Sequence, residues 1–280
     1  MQMRAALDEG HAFLRHGPHP DQARRDAELL LMCATGLSRA ALLAHATGQL
    51  DPLIAERYAA QIERRLAGEP IQYITGETEF FGLAFQVTRD VLIPRPETEH
   101  LVEKVVELAA QFPAPRIVDV GAGSGAIAVA LAHALPKALI TAVDVSEAAL
   151  NLARENATRN HAAVRFLHGD LLAPVADERF DFVVSNPPYV PAADRDSLAV
   201  EVRAFEPALA LFAGDDGLDV YRRLIPAAFA VLAPGGFIAL EIGYGQADAV
   251  GALLADAGFA DIAFTPDLQG IPRVACARRS

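Results

Sequence analysis

Cysteine, tryptophan and basic residues are scarce in this chain of 280 residues, which has two cysteines and no tryptophan. Cys33 and Cys276 lie far apart and lack metal-ligand spacing, which excludes a disulfide or zinc framework and predicts a reducing cytoplasm. No apolar run reaches the length of a transmembrane helix, and the first residues lack the apolar core of a signal peptide. We therefore expect a globular, cytoplasmic protein without a membrane partner.

The shortage of positive charge restricts the partners further. The chain has 24 Lys and Arg against 36 Asp and Glu, for a net charge of −12. A polyanion requires clustered basic residues to neutralise its phosphates. Here the basic neighbours are scattered pairs, such as Arg24-Arg25, Arg64-Arg65 and Arg222-Arg223. We therefore expect no direct nucleic-acid partner.

The first 68 residues or so predict a small helical bundle. They are rich in Ala, Leu, Arg and Glu, their apolar residues recur at helical spacing, and glycines such as Gly36 and Gly48 interrupt them. Asp21 and Asp51 are each placed to cap the helix that follows. At 52% hydrophobic content, the whole chain can build one large domain or two of ordinary size.

The composition changes after Pro70, where aromatic and β-branched residues surround Gly82. This pattern predicts a β-hairpin that links two domains. We place an all-α helical domain at residues 1–75, the hairpin linker at 76–93 and a second domain at 94–280.

The segment Pro94-Arg95-Pro96 opens the second domain and allows two interpretations. Pro96 can start a helix whose first turn holds Glu97 and Glu99. Alternatively, Arg95 and the two prolines can form a wall of an adjacent active site. The pattern favours neither interpretation over the other.

The rest of the second domain alternates apolar strands with helices, which indicates an α/β fold. Such alternation is typical of a parallel sheet with helices on both faces. Seven strands are predicted at Arg116 to Val120, Leu139 to Val143, Val164 to His168, Phe180 to Ser185, Gly236 to Ile242, Ile262 to Thr265 and Arg273 to Ala277.

A glycine-rich loop, Gly121-Ala122-Gly123-Ser124-Gly125, follows the first of these strands. Glycines at this place permit a tight turn and a close approach of a ligand to the backbone at a helix N-terminus. Asp144 ends the second strand, where a carboxylate can accept both hydroxyls of an adenosine ribose. The loop also satisfies the dinucleotide pattern G-x-G-x-x-A, so a nicotinamide or flavin cofactor is a rival at this point.

Asp170 and Leu171 follow the third strand. Asp170 is placed to accept a hydrogen bond from an adenine amine, and Leu171 is placed to pack against the base. A helix cap or a turn explains Asp170 equally well.

The fourth strand ends in Asn186-Pro187-Pro188-Tyr189. Proline fixes its own φ and extends the preceding residue, so this loop is stiff. It offers the Asn186 side chain and main-chain carbonyls as acceptors, while the two prolines provide no N–H. Such a loop suits a ligand that donates, such as an –NH₂ group, and Tyr189 can cover it as a flat lid. No residue near the sheet edge suggests a hydride relay, which weighs against a dehydrogenase.

The glycine-rich loop, Asp144 and the Asn-Pro-Pro-Tyr loop together resemble amino methyltransferases that use S-adenosylmethionine. A closer resemblance, to the release-factor glutamine methyltransferases of the PrmC or HemK family, extends over almost the whole chain. It rests on the segments Pro70 to Glu77, Leu92 to Glu99, Asn186 to Tyr189, Phe205-Glu206-Pro207 with Ala210-Leu211, and Gly217-Leu218-Asp219. Leu171 departs from the pattern, because some members carry Trp there.

This resemblance implies a Rossmann-like, seven-stranded methyltransferase sheet behind a helical, substrate-recognising domain. It also implies methylation of the glutamine side-chain amide in the Gly-Gly-Gln tip of peptide chain release factors, by a monomer that needs no metal. Cofactor binding is assigned to Gly121, Ala122, Gly123, Ser124, Gly125, Asp144, Asp170, Leu171 and Asn186.

The same resemblance assigns substrate binding to the Asn-Pro-Pro-Tyr loop. Asn186 and the Pro187 carbonyl receive the substrate amide, Pro188 contacts it, and Tyr189 stacks on its plane; Asn186, Pro187 and Tyr189 are the catalytic candidates. Two alternatives remain open. An adenine-N6 DNA methyltransferase uses such a loop on a flipped base but would need a basic recognition domain. A non-catalytic assembly factor would bind adenosylmethionine and transfer nothing.

Overall fold

The computed structural model describes all residues from Met1 to Ser280. The chain divides into two compact units, one of Met1–Glu77 with Leu198–Phe205 and one of Thr78–Ser197 with Glu206–Ser280. No helix combines the length and apolarity that crossing a membrane requires. In chain order the helices are α1 (Met3–Leu14), α2 (Ala23–Thr35), α3 (Arg39–Ala44), α4 (Pro52–Leu66), α5 (Ile71–Thr75), α6 (Glu99–Ala109), α7 (Ala126–Ala134), α8 (Glu147–Arg159), α9 (Val200–Phe205), α10 (Asp219–Val231) and α11 (Ala247–Asp256).

The first unit is the predicted helical bundle, built from α1 to α5 and α9. Leu30, Leu31 and Ile62 lie in its buried core, as helical spacing of apolar residues requires. Asp51 caps α4 as predicted, since its Oδ1 accepts a hydrogen bond from the Leu53 N–H at 2.8 Å. The prediction for Asp21 is wrong. A 3₁₀ turn begins at Pro20, so Asp21 lies inside that turn and Gln22 takes the N-cap position of α2 without a side-chain bond.

The sheets contain nine strands. In chain order these are β1 (Glu77–Phe80), β2 (Leu83–Gln86), β3 (Arg116–Val120), β4 (Leu139–Asp144), β5 (Val164–His168), β6 (Phe180–Ser185), β7 (Leu232–Glu241), β8 (Phe259–Pro266) and β9 (Pro272–Arg279). β1 and β2 form the predicted hairpin. Phe81 and Gly82 turn the chain, and both have positive φ, of 52° and 72°, as a two-residue turn between twisted strands requires.

The second unit is built on a seven-stranded sheet with the order β5-β4-β3-β6-β7-β9-β8. The strands from β3 to β7 are parallel, whereas β9 is antiparallel to both β7 and β8. The predicted seven-stranded α/β sheet is therefore confirmed, but the parallel arrangement expected for it ends at β7. The chain passes from Pro266 to Pro272 through a short turn, and a short connection can join only antiparallel neighbours.

Successive residues of β3 point to opposite faces of the sheet, and helices cover both faces. Ile117 belongs to a core cluster with residues of α6 and α7, while Val118 belongs to a second cluster with residues of α10 and α11. After β3 the chain builds β4 and β5 on one side and then returns to place β6 on the other. This reversal opens a crevice at the carboxyl ends of β3 and β6, where open α/β sheets bind ligands.

Candidate active site

A cavity of about 410 Å³ lies at these carboxyl ends, within the size range of small-molecule sites. It brings together most of the residues that the sequence predicted for the site. Those that line it are Gly121, Ala122, Gly123, Ser124, Asp144, Asp170, Leu171, Asn186 and Pro188. Three predicted residues, Gly125, Pro187 and Tyr189, do not line it.

The glycines of the loop after β3 have two different roles. Gly121 and Gly123 have positive φ, of 79° and 53°, and a Cβ at either position would meet nothing within 4 Å. Gly125 also has positive φ, but a Cβ there would lie 3.0 Å from the Cβ of Ala153 in α8. Gly125 therefore permits close packing of two helices, whereas Gly121 and Gly123 leave backbone open to a ligand.

Asp144 supports this loop from the end of β4. Its Oδ2 accepts a hydrogen bond from the Gly123 N–H and its Oδ1 accepts one from the Ser146 N–H, both at 2.8 Å. Each carboxylate oxygen can accept more than one bond, so Asp144 retains acceptor capacity toward the cavity.

Asp119 lies in β3 and was not predicted as a site residue. It is fully buried; its Oδ2 accepts from the Ala128 N–H at 3.2 Å, and its Oδ1 has no hydrogen-bond partner. Burial, with a smaller contribution from the charge of Asp144, raises the pKa of Asp119 to about 7 although the bond from the Ala128 N–H lowers it. The sequence does contain a signal, because a carboxylate inside an apolar strand costs free energy unless it has a special environment.

Asp170 and Leu171 lie at the cavity as predicted, but Asp170 has a partner that the sequence did not indicate. Its carboxylate forms an ion pair with Arg223 of α10, which also lines the cavity. Leu171 has a positive φ of 50°, which is uncommon for a residue with a side chain. The carbonyl of Asp170 accepts from the Ala173 N–H, so the residue also begins a turn.

The Asn-Pro-Pro-Tyr loop contributes Asn186 to the cavity and directs Tyr189 inward. Asn186 Nδ2 donates a hydrogen bond to Thr98 Oγ1 at 3.1 Å. The ring of Tyr189 packs against the second core cluster, and its hydroxyl lies 3.5 Å from Glu241 Oε1. Burial and, to a lesser extent, the charge of Glu241 together raise the pKa of Tyr189 to about 12. Stacking of Tyr189 on a substrate stays a prediction.

Pro94 and Arg95 line the cavity, while Pro96 begins a 3₁₀ turn that leads into α6. The segment therefore contributes to the cavity wall through Pro94 and Arg95 and begins a helical turn at Pro96, so each of the two interpretations holds for part of it. Arg95 Nη2 donates to both carboxylate oxygens of Glu206 at 2.7 Å, and the Glu206 side chain is 1% exposed. This ion pair holds in place Arg95, which lines the same cavity as Asn186 and Pro188.

The β2 strand of the hairpin is tied to the glycine loop through Asn156 of α8. Asn156 is fully buried, and its Nδ2 donates to the carbonyls of Gln86 and Ser124, both at 2.9 Å. Its Oδ1 accepts from the Gln86 N–H at 2.7 Å. Every hydrogen-bonding group of this side chain is thus used, with one bond to the glycine loop and two to β2.

The sheet order, the glycine-rich loop after β3 and the polar loop after β6 define a class I, Rossmann-like methyltransferase. A family model described as the methyltransferase small domain matches residues 97–212. The hMettl16 catalytic domain, solved with an RNA hairpin, has the same fold at a TM-score of 0.57, with 17% identity over 80% of this chain and 81% of that one. The T. thermophilus 16S rRNA N2 G1207 methyltransferase, solved with AdoMet and guanosine, gives a TM-score of 0.55, with 21% identity over 73% of this chain and 50% of that one.

The chain is 44% identical to the release factor glutamine methyltransferase of Koribacter versatilis over an alignment of 280 residues. This alignment covers 100% of the present chain and 99% of that relative. The chain belongs to the release factor glutamine methyltransferase family. The enzyme of the same name from Geobacter sulfurreducens is 45% identical over 91% of this chain and 89% of its own length. In addition, a family model described as the PrmC N-terminal domain matches residues 5–76.

Proposed function

We propose that this chain transfers a methyl group from S-adenosyl-L-methionine to the side-chain amide nitrogen (N5) of the glutamine in the Gly-Gly-Gln motif of peptide chain release factors. Family membership supports this reaction. The observation that carries the proposal is that Asn186, after β6, lines the same cavity as the glycine loop after β3. An acceptor for N–H groups therefore lies beside the cofactor crevice.

The residues of the crevice fit this cofactor. Gly121 and Gly123 leave open backbone for its methionine part, and Asp144 has remaining acceptor capacity for the ribose hydroxyls. Asp170 and Leu171 are assigned to the adenine amine and ring. When bound, the cofactor supplies a methyl group that is activated by a positively charged sulfur.

The task of the protein residues is to orient the substrate nitrogen. An amide nitrogen is a poor nucleophile, because its lone pair is delocalised into the carbonyl. Asn186, which lines the cavity, can accept one N–H of the –NH₂ group through its Oδ1 and so holds the nitrogen for attack. The main-chain oxygen of Pro187 is assigned to the other N–H, although Pro187 itself does not line the cavity. Pro187 and Pro188 have no N–H, so no main-chain donor competes with the substrate there. The methylated nitrogen becomes acidic and can release its proton afterwards, so no strong base is required beforehand.

The test is incubation with isotopically labelled adenosylmethionine and a purified release factor, followed by mass mapping of the Gly-Gly-Gln peptide. We expect one methyl group on the glutamine. The matched control is a release factor with Gln→Glu in that motif, which offers a carboxylate in place of the amide. Equal labelling of the control protein, or labelling of adenine in added DNA without labelling of the glutamine, would overturn the proposal.

A further inference from the structure

We propose that Thr98 and Glu241 are positioning residues for methyl transfer, because together they hold the Asn186 side chain with its Oδ1 available to the substrate amide. This inference rests on the proposed function. Its basis is a chain of three side chains from distant parts of the sequence. Glu241 Oε2 accepts from the Thr98 hydroxyl at 2.6 Å, and Thr98 Oγ1 accepts from Asn186 Nδ2 at 3.1 Å.

The direction of each hydrogen bond follows from what the three groups can do. An ionised carboxylate only accepts, so the single proton of the Thr98 hydroxyl must be directed at Glu241. Thr98 Oγ1 can then only accept from Asn186. The group of Asn186 nearest to Thr98 is therefore its –NH₂, and Oδ1 is the group left for the cavity. A flipped amide would place the Asn186 oxygen against an oxygen that has no proton to give.

The orientation matters because the substrate also carries an –NH₂ group. With Oδ1 toward the cavity, Asn186 accepts from the substrate nitrogen. With the amide reversed, two donors would face each other and one would be left without an acceptor, which disfavours binding of the substrate amide. The same polarity selects an amide over a carboxylate, since a glutamate side chain has no N–H to donate.

The surroundings of Glu241 show that its role is more specific than packing. The residue is 3% exposed, and its charge has no directly bonded cationic partner. Burial is the largest influence on its pKa and raises it, the Thr98 bond lowers it, and the charges of Glu97 and of Arg273 in β9 have smaller effects that raise and lower it, respectively. The Tyr189 hydroxyl lies 3.5 Å from its Oε1. The Tyr221 hydroxyl donates to its main-chain oxygen at 2.7 Å and leaves the carboxylate untouched. Burial of a carboxylate costs free energy, so a buried carboxylate needs a specific role. Here that role is to accept the proton of the Thr98 hydroxyl.

Protonation of Glu241 would remove that constraint. A protonated carboxyl can donate to Thr98, and Thr98 can then donate to Asn186 Oδ1, which allows the amide to turn. Burial raises the pKa of Glu241 to about 7, while Thr98 lowers it less strongly. We therefore expect the rate of methyl transfer to fall as the pH is lowered through about 7, whereas cofactor affinity should not follow this profile.

Three variants of the full-length enzyme test the hydrogen-bonded chain Glu241–Thr98–Asn186. The measurement is single-turnover methyl transfer to a release factor at saturating cofactor. Thr98→Val removes the hydroxyl at nearly constant volume and should lower the rate about 10- to 100-fold, with cofactor Kd changed less than a few-fold. Thr98→Ser should recover most of that loss. Thr141→Val is the matched control, because Thr141 is also a buried threonine but lies in β4 outside the cavity; it should keep the wild-type rate.

Glu241→Gln supplies the independent readout. Glutamine cannot ionise, so the fall in rate below about pH 7 should disappear in this variant while the wild type keeps it. The inference is overturned if Thr98→Val transfers at the wild-type rate, if Thr98→Ser is as slow as Thr98→Val, or if Glu241→Gln keeps the acid limb. If the wild-type enzyme labels no glutamine, the proposed function itself fails. If the wild type and Thr98→Val label the glutamine at the same rate, the proposed function holds and only the positioning role fails.

Discussion

Asp144 combines two tasks in one carboxylate. It accepts from the Gly123 and Ser146 N–H groups, and it lines the cavity where the ribose is assigned. We predict that Asp144→Ala weakens binding of adenosylmethionine about ten- to a hundredfold, since charge-assisted hydrogen bonds contribute about 1.5 to 3 kcal/mol. Titration calorimetry measures this directly. Asp144→Asn keeps one acceptor oxygen without the charge and should fall between wild type and Asp144→Ala; unchanged affinity in Asp144→Ala would refute the ribose assignment.

Asn186 is assigned mainly to the reacting amide, so its loss should separate chemistry from cofactor binding. We predict that Asn186→Ala lowers kcat about 10²- to 10³-fold or more, as expected for one preorganised hydrogen bond at a reacting centre, with cofactor affinity within a few-fold. Asn186→Asp still accepts from an –NH₂ group and should retain more activity than Asn186→Ala. Single-turnover transfer compares the three proteins. A wild-type rate in Asn186→Ala would mean that the loop is only a turn.

Among the elements, the N-terminal helices are assigned to recognition of the release factor away from its glutamine. Every residue that lines the cavity belongs to the second unit. We predict that removal of residues 1–68 raises KM for the intact release factor more than it changes adenosylmethionine affinity. Equal KM values for the full-length and truncated enzymes on the intact release factor would contradict this assignment.

A folding control is necessary for that deletion, because the first unit also contains Leu198–Phe205. Glu201 in this segment forms an ion pair with the buried Arg65, which also donates to Asp26 Oδ2 at 2.7 Å. The deletion removes both Arg65 and Asp26 and exposes the segment. A cooperative thermal transition and unchanged cofactor binding establish that the truncated enzyme is folded before its KM is compared.

For the whole molecule, Asp119 should make stability depend on pH. The pKa of its carboxyl is raised from 3.8 to about 7 in the folded chain. The folded state therefore keeps a proton that the unfolded state releases, so the stabilisation is fully present below about pH 4 and is lost as the pH rises through 7. Relative to Asp119→Asn, the wild-type unfolding free energy should fall by about 1.4 kcal/mol per pH unit between pH 5 and 7.

Chemical denaturation of both proteins at pH 5.5, 6.5 and 8 measures this difference. Asp119→Asn is nearly isosteric and has no charge at any of these pH values, so groups common to both proteins cancel in the comparison. Parallel stability profiles for the two proteins would mean that Asp119 is ionised in the folded state throughout this range.

Local patterns in the sequence were sufficient for much of the fold, and most of the site residues predicted from them line the cavity. Proline stiffness marks Asn186-Pro187 without knowledge of any partner, and glycines after a strand mark Gly121 and Gly123. The cap at Asp51 could be predicted from the sequence, because its hydrogen bond spans only two residues along the chain. The error at Asp21 is equally local, since a single extra turn begun by Pro20 moved the cap position to Gln22.

The sequence by itself determined which residue types stand at strand ends and loops, since those preferences depend on backbone geometry within a few positions. Only the tertiary structure decided which side chains from distant parts of the chain contact these residues. Thr98 and Glu241 are 143 positions apart, and Thr98 and Asn186 are 88 apart, so no local pattern relates them. The order of strands around β9 and the missing partner of Asp119 Oδ1 likewise depend on distant segments. Hydrogen bonds of this kind form only after the sheet has brought those segments within 3 Å or so of one another.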